Sequence, residues 1–159
     1  MIGTADIILD KVDLNILKLM QENARISNAD LARELEMAPS AVLERVKKLE
    51  QKNVILQYTT RLNPAAVNQK LLAFISMKSS EGMGSNNSAK ELAKIPEVQE
   101  VHHIAGDDCY LVKVRTADSA SLMDLMRKSF SKIPNILSTR TTIVLETVKE
   151  EQQLVIPDK

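Results

Sequence analysis

Aromatic residues and cysteine are scarce in this sequence. It has no tryptophan, two Phe and two Tyr, so aromatics make up only 3% of its 159 residues. Proteins that bind RNA or single-stranded DNA by stacking bases depend on exposed aromatic side chains, and this shortage argues against that class. The single cysteine excludes a disulfide within the chain, which is typical of a reducing compartment.

Long apolar runs and an excess of one charge are also lacking. No run approaches the roughly 18 apolar residues of a membrane-spanning helix, and the first stretch, "MIGTADIILDK", is too short and too acidic for a signal peptide. We therefore expect a cytoplasmic protein with no membrane partner. Basic and acidic residues are equal at 21 each, so the net charge indicates no strong non-specific binding of nucleic acid.

Three helical patterns are present before residue 52. In "DKVDLNILKLMQEN" apolar residues recur at three- and four-residue steps, and Asp10 can cap the helix. In "RISNADLARELE" Ser27 is the expected N-cap, with Asp30 in the position that completes a capping box. Pro39 opens the third helix, "PSAVLERVKKLEQ". A three-residue turn joins the last two helices, which predicts a helix-turn-helix.

The third helix has an apolar and a polar side when its residues are placed about 100° apart. The apolar side, which must face a core, consists of Val42, Val46 and Leu49. The polar side consists of Ser40, Glu44, Lys47 and Gln51, flanked by Leu43 and Lys48. Such a short surface of mixed charge suits contact with base edges, although a merely solvated helix face is the simpler interpretation.

Two short strands are expected after this helix, over residues 54–56 and 58–62 of "KNVILQYTTRLN". A hairpin there would be the wing of a winged helix, which favours DNA contact over a solvated face. The candidates for base contact are Ser40, Leu43, Glu44 and Lys47, and those for phosphate contact are Lys48, Lys52 and Arg61. Arg45 lies near the core edge, where a structural ion pair and a phosphate contact are equally expected.

The second half of the chain alternates strands and helices in the order β-α-β-β-α-β. Strands are predicted over "LLAFISMK", "VQEVHHIA", "CYLVKVRT" and "ILSTRTTIVLET", and helices over "NNSAKELAKI" and "DSASLMDLMRKSFSKI". This order is the ferredoxin-like motif, whose helices cover one face of an antiparallel sheet. Apolar residues on the uncovered face predict self-association. The expected fold class is therefore α+β, with a winged helix-turn-helix domain at residues 1–64 and a ferredoxin-like domain at 65–159.

This two-domain order resembles the Lrp/AsnC, or feast/famine, family of transcriptional regulators. The resemblance rests on "LDKVDLNILKLMQENARISNADLA", "APSAVLERVKKLE", "VILQY", "GDDCYLVKV" and "STRTTIVLETVKEE", in that order and spacing. It implies a dimer that joins into larger assemblies, often an octamer, and binds double-stranded promoter DNA through paired winged helices. It also implies that the ferredoxin-like (RAM-type) domain binds a free amino acid as an effector at interfaces between dimers.

The resemblance places that effector at the turn "GDDC". Backbone N–H groups and carboxylates there suit the two opposite charges of an amino acid. The candidate residues are Gly106, Asp107, Asp108 and Cys109, with hydroxyl groups from Thr139 and Thr141. Without the resemblance, Gly-Asp-Asp is simply a hairpin turn.

The chain departs from the family pattern at five positions. Glu36 stands where members usually have glycine in the helix-turn-helix, and Ala38 replaces the serine that often caps the recognition helix. Asn53 and Asn68 replace two further glycines, and asparagine preserves a positive φ there. Cys109 stands where many members have a second acid.

The stretch "VHHIAGDDCYLVKV" holds both histidines and the only cysteine, as a metal or catalytic cluster would. Neighbours on a strand point to opposite faces, so His102 and His103 cannot ligate one metal together. Two adjacent carboxylates disfavour a thiolate at Cys109. We expect no metal, no cofactor and no catalytic residue. The alternative is an enzyme, since tetrapyrrole decarboxylases of haem synthesis share this architecture and use histidines of the sheet domain.

Overall fold

The computed structural model describes residues 7–82 and 84–158, and the chain divides into two units. The first unit contains the described residues up to Arg61 together with those from Glu150 onward, and the second runs from Leu62 to Lys149. The C-terminal segment therefore belongs with the first unit, whereas the sequence-based division had placed it with the second. Residues 1–6, which contributed to the signal-peptide argument, lie outside the described residues. No described helix is long and apolar enough to cross a membrane.

The first unit has three α-helices: α1 (Lys11–Glu22), α2 (Asn28–Glu34) and α3 (Pro39–Gln51). Asp10 caps α1 by accepting from the Asp13 N–H at 2.9 Å, and the Asp13 carboxylate accepts from the Asp10 N–H at 3.2 Å. Ser27 caps α2 by accepting from the Asp30 N–H at 3.0 Å. Ala38 gives α3 no side-chain cap. The three predicted helices and their two polar caps are confirmed.

The three helices pack around a small apolar core. Ile16 of α1, Leu31 of α2 and Val42 of α3 are fully buried at its centre. Val46 and Leu49 bury the rest of the apolar side of α3. The predicted core face of this helix is confirmed, and its polar side is left outward.

The turn from α2 to α3 depends on one residue with positive φ. Glu36 has a φ of 52°, and the Met37 N–H donates to the Ala32 carbonyl at 2.9 Å. This is the Schellman arrangement, which satisfies carbonyl groups at the end of a helix. Glu36 therefore adopts the glycine-like conformation of the turn, at a cost of about 1–2 kcal/mol for a residue with a Cβ.

Helix α3 ends in the same way. Asn53 has a φ of 54°, and the Val54 N–H donates to the Leu49 carbonyl at 2.9 Å. Asn68, in the segment that follows α3 and precedes the first strand, has a φ of 55°. The prediction that both asparagines adopt the geometry of the replaced glycines is confirmed.

The two wing strands predicted at residues 54–56 and 58–62 are wrong. The Val54 and Ile55 N–H groups both donate to the Leu49 carbonyl, at 2.9 and 3.2 Å, so the helix cap uses the donors of the first predicted strand. Residues 56–63 pair with no strand among the described residues. A strand needs a hydrogen-bonded neighbour, and the described part of the first unit supplies none.

The second unit is a four-stranded antiparallel sheet with helices on one face. In chain order it contains β1 (Leu71–Ser79), α4 (Asn87–Leu92), β2 (Val98–His103), β3 (Tyr110–Thr116), α5 (Ser119–Lys128), a 3₁₀ helix (Phe130–Lys132) and β4 (Ile136–Ile143). The order across the sheet is β2-β3-β1-β4. The predicted ferredoxin-like arrangement and α+β class are confirmed.

Alternate residues of the two central strands form the core beneath the helices. Their buried side chains are Ala73, Ile75 and Met77 of β1 and Tyr110, Val112 and Val114 of β3. Leu92 of α4 and Leu122 and Leu125 of α5 pack against them.

The opposite face of the sheet is less apolar than expected. By strand alternation, the apolar side chains of β1 and β3 on this face are Leu72, Phe74 and Leu111, of which Leu72 is buried. Strand β4 places Arg140 and Thr142 on this face, because they pair with β1 residues that point away from the helices. The segment "TTIVL" therefore adds less apolar surface there than predicted.

Replacing Glu36 with glycine should stabilise the protein. Glycine adopts positive φ without the Cβ clash, so we expect Glu36→Gly to raise the free energy of unfolding by about 1 kcal/mol. Asn53→Gly is the matched control and should change it by less, because asparagine tolerates this conformation. Urea unfolding followed by circular dichroism measures both. A Glu36→Gly protein that is less stable than the native protein would contradict the strain at this turn.

Candidate nucleic-acid interface and effector loop

The outward side of α3 is the candidate nucleic-acid interface. Ser40, Glu44 and Lys47 are exposed, and Leu43 is 39% exposed. Steps of three and four residues align these side chains along one side of a helix. The structure thus brings the four predicted base-contact residues together in one exposed row.

Lys48, predicted to contact phosphate, forms an ion pair on the same helix. Its Nζ lies 2.8 Å from Glu44 Oε1, one helical turn earlier. The hydrogen bond from Lys48 lowers the pKa of the Glu44 carboxyl group. Both side chains are well exposed, and such surface pairs contribute little stability. A phosphate group can therefore replace the carboxylate at low cost.

Arg45 forms the structural ion pair that was one of its two expected roles. Its Nη1 lies 2.7 Å from Asp10 Oδ2 and 2.9 Å from Asp13 Oδ1. These two hydrogen bonds raise the pKa of Arg45. The pKa of Asp10 is lowered, first by the Asp13 N–H and then by the Arg45 guanidinium. Arg45 therefore links α3 to the start of α1.

The other two predicted phosphate contacts lie in different surroundings. Lys52 shares with Lys48 a groove of about 340 Å³ beside α3. Arg61 is not among the residues that line this groove. Its guanidinium lies 3.5 Å from a Glu151 oxygen and 3.9 Å from a Glu150 oxygen. A phosphate at Arg61 must compete with these two carboxylates.

The candidate effector loop connects β2 to β3 and is anchored at one end. Gly106 has a φ of 141°, in the region that favours glycine. The Ile104 N–H donates to the Cys109 carbonyl at 3.0 Å, and the Cys109 N–H donates to the Met77 carbonyl at 2.8 Å. Cys109 Sγ lies 3.4 Å from the Ser79 nitrogen. Cys109 is thus fixed against β1, whereas the middle of the loop lies at the surface.

Asp108 of this loop pairs with a residue that the sequence analysis missed. Its Oδ2 lies 2.6 Å from Nη2 of Arg140, with the Asp108 side chain 21% exposed and that of Arg140 73% exposed. Asp107 is exposed beside it. The two partners are 32 residues apart, and β1 lies between β3 and β4 in the sheet. No local pattern reveals such a contact.

The two predicted threonines lie on the opposite face from Arg140. Thr139 pairs with Met77 and Thr141 with Ile75, so both point toward the helix-covered face. Thr139 lines a cavity of about 230 Å³ beside α5 and the 3₁₀ helix. The structure therefore does not bring these hydroxyl groups to the same face as the Asp108–Arg140 pair.

The two histidines are separated, as strand alternation predicted. His102 Nε2 lies 3.0 Å from Glu100 Oε2, and the same carboxylate accepts from Lys113 at 3.3 Å. The hydrogen bond with His102 is the main cause that lowers the pKa of Glu100. His103 instead packs its ring against Tyr110, with 5.2 Å between centroids. Among the described residues, no group of three or more His, Cys, Asp or Glu is placed to hold a metal ion.

Comparisons with known proteins identify the family. One family model, described as winged helix-turn-helix DNA-binding, matches residues 9–55, and another, described as Lrp/AsnC ligand binding domain, matches residues 72–154. The leucine-responsive regulatory protein of Klebsiella pneumoniae is 37% identical over 152 residues, which cover 93% of this chain and 92% of that protein. The chain belongs to the Lrp/AsnC family.

Solved Lrp/AsnC structures share the fold over nearly the whole chain. A feast or famine regulatory protein from M. tuberculosis, complexed with L-methionine, has a TM-score of 0.85 and 31% identity, covering 94% of this chain and 100% of that one. A transcriptional regulator from Neisseria meningitidis, also in complex with L-methionine, has a TM-score of 0.85 and 28% identity, covering 93% and 97%. Proteins similar to this chain thus include a transcriptional regulator and a feast or famine regulatory protein.

Acid should weaken the Asp10 cap in this Lrp/AsnC protein. Because the pKa of Asp10 is lower in the folded chain than its usual 3.8, its carboxylate stabilises the fold above that value and stops doing so as the pH falls through the lowered pKa. Asn also caps helices, so Asp10→Asn removes mainly the charge. We expect the melting temperature of the native protein to exceed that of the variant at neutral pH, and the gap to close below about pH 4. An unchanged gap down to pH 3 would contradict this role.

Proposed function

We propose that this protein is a sequence-specific DNA-binding regulator of transcription whose DNA binding or assembly responds to a small molecule. The observation that carries the proposal is the exposed row on α3, formed by Ser40, Leu43, Glu44 and Lys47. Lysine can donate to guanine and glutamate can accept from cytosine in the major groove. Lys48, Lys52 and Arg61 then contact phosphate groups, which position the protein without selecting sequence.

We further propose a free amino acid as the small molecule, bound at the loop Gly106–Cys109. Two similar regulators bind L-methionine, which supports this ligand class. The carboxylates of Asp107 and Asp108 suit an ammonium group, and backbone N–H groups near Gly106 suit a carboxylate. Arg140 already holds Asp108, so the ammonium group either displaces Arg140 or binds Asp107. Thr139 and Thr141 contact the ligand only if it reaches the helix-covered face.

The proposal also includes self-assembly in the cytoplasm, from dimers to an octamer. Phe74 and Leu111, which are partly exposed on the sheet face away from the helices, support a contact between copies. The protein acts by binding and not by catalysis. No specific observation favours a tetrapyrrole decarboxylase, because His102 and His103 point to opposite faces and engage Glu100 and Tyr110.

Lys47 and Lys48 should affect DNA binding differently. If Lys47 contacts a base, Lys47→Ala weakens binding to the selected sequence by about 1–3 kcal/mol and leaves non-specific binding nearly unchanged. Lys48→Ala should weaken binding to all DNA sequences alike and reduce the salt dependence of the affinity, because it removes a phosphate contact. Affinities for a duplex selected from a random pool and for a scrambled duplex, at several salt concentrations, measure both effects.

Lys90→Ala on α4 is the control for charge and should leave both affinities unchanged. Equal losses of specific and non-specific affinity in Lys47→Ala and Lys48→Ala would contradict the assignment. A native protein that selects no duplex from the pool would contradict the proposed function itself.

An amino acid should stabilise the protein through the loop. A ligand at 100 times its Kd raises the free energy of unfolding by about 2.7 kcal/mol, which a rise in melting temperature reports. We expect at least one of the twenty amino acids, with L-methionine tested first, to give such a rise or to change the assembly state. Asp107→Asn and Asp108→Asn should weaken that effect about tenfold or more, because each removes a charge-assisted contact.

Asp124→Asn on α5 removes an acid outside the loop and serves as the control. Binding that is unchanged in both loop variants would place the ligand elsewhere. A panel in which no amino acid changes melting temperature or assembly would contradict the effector proposal.

A further inference from the structure

The C-terminal segment, residues 150–158, docks on α1 through polar groups of its backbone and side chains. Gln21 Oε1 accepts from the Leu154 N–H at 2.8 Å, and Gln21 Nε2 donates to the Leu154 carbonyl at 3.0 Å. Gln153 Nε2 donates at 2.9 Å to the Gln21 carbonyl, which lies in the last turn of α1, where carbonyls lack helical partners. Leu154 and Val155 are 76% and 99% exposed. Polar contacts therefore hold this segment, and burial of its apolar side chains contributes little.

Ion pairs hold the segment near its two ends. Lys18 of α1 pairs with Asp158. Arg61 pairs with Glu150 and Glu151, at 3.9 and 3.5 Å. Arg61 is the last residue of the first unit before the chain enters the second, and Glu150 is the first residue after it returns. These ion pairs thus connect Arg61, where the chain leaves the first unit, to Glu150 and Glu151, where it returns.

We propose that residues 150–158 form a strap that limits how freely the first unit moves on its linker. Residues 52–70 contain neither helix nor strand, and a single linker of that kind leaves a domain mobile. The docked segment provides a second chain connection between the two units, held by Gln21 and by Arg61. The contacts are few and exposed, so the strap opens locally without unfolding of the α1–α3 core.

Gln21→Ala tests the strap, because it removes the paired hydrogen bonds to Leu154 and leaves the chain complete. Hydrogen exchange followed by mass spectrometry should show about tenfold faster exchange in residues 150–158 and also in the linker, residues 56–70. A chain that stops at Lys149 should show the same change in the linker. Trypsin should cut this linker faster in both variants.

Gln152→Ala is the matched control in the same segment, because its side chain makes none of the docking contacts described above. It should leave exchange and cleavage at native rates, and circular dichroism should show native helix content in every variant. Faster exchange in residues 150–158 of Gln21→Ala with an unchanged linker would overturn the strap. Exchange in the native segment at the rate of a free peptide would also overturn it.

The effect of the strap on DNA binding rests on the proposed function. A strapped domain holds its recognition helix in a narrower range of positions, so the native protein should lose affinity steeply when base pairs are inserted between two selected half-sites. Gln21→Ala should lose about tenfold less affinity for the same insertions. Identical spacing profiles, together with faster exchange in Gln21→Ala, would overturn this consequence. A native protein that binds no duplex would refute the proposed function, while hydrogen exchange still decides on the strap.

Discussion

The position of α3 depends above all on the left-handed turn that precedes it. Ala38 provides no side-chain cap, so the start of the helix is held instead by the Schellman bonds around Glu36, by the buried side of the helix and by Arg45. If Glu36 left its φ of 52°, the Met37 N–H would lose the Ala32 carbonyl and α3 would start in another direction. The exposed row on α3 is therefore directed by backbone geometry three residues before the helix, and the strain at Glu36 accompanies that geometry.

In the sheet domain, strand alternation decides which side chains can act together. Register places Thr139 and Thr141 beside Met77 and Ile75, over the core, and places Arg140 on the other face. The β4 side chain that contacts the loop between β2 and β3 is therefore the long, positively charged Arg140 and not Thr139 or Thr141. The same rule separates His102 from His103. A shift of one residue in the β1–β4 register would turn Arg140 toward the helices and Thr139 and Thr141 away from them. That register is therefore the main structural constraint on the candidate effector site.

Local chemistry was enough to predict most of the fold. The caps Asp10 and Ser27 and the positive φ of Asn53 follow from side chains within three residues of where they act. The wing strands failed because pairing depends on a neighbour outside the segment. The Asp108–Arg140 pair spans 32 residues and the Gln21–Leu154 contact spans 133, so neither leaves a periodic pattern in the sequence. What remained hidden is therefore the set of contacts that only the folded chain brings together.

Ion pairs within the first unit reduce the positive charge that is available to phosphate groups. The basic residues Arg45, Lys48 and Arg61 of the first unit each pair with at least one carboxylate. Phosphate must displace a carboxylate to reach Lys48 or Arg61, which slightly reduces the gain from any duplex, whatever its sequence. The base contacts proposed for the α3 row would not be reduced in this way, because they form only at the correct site. Paired cations thus lower specific and non-specific affinity alike, so discrimination between DNA sequences by a chain without net charge depends on base contacts.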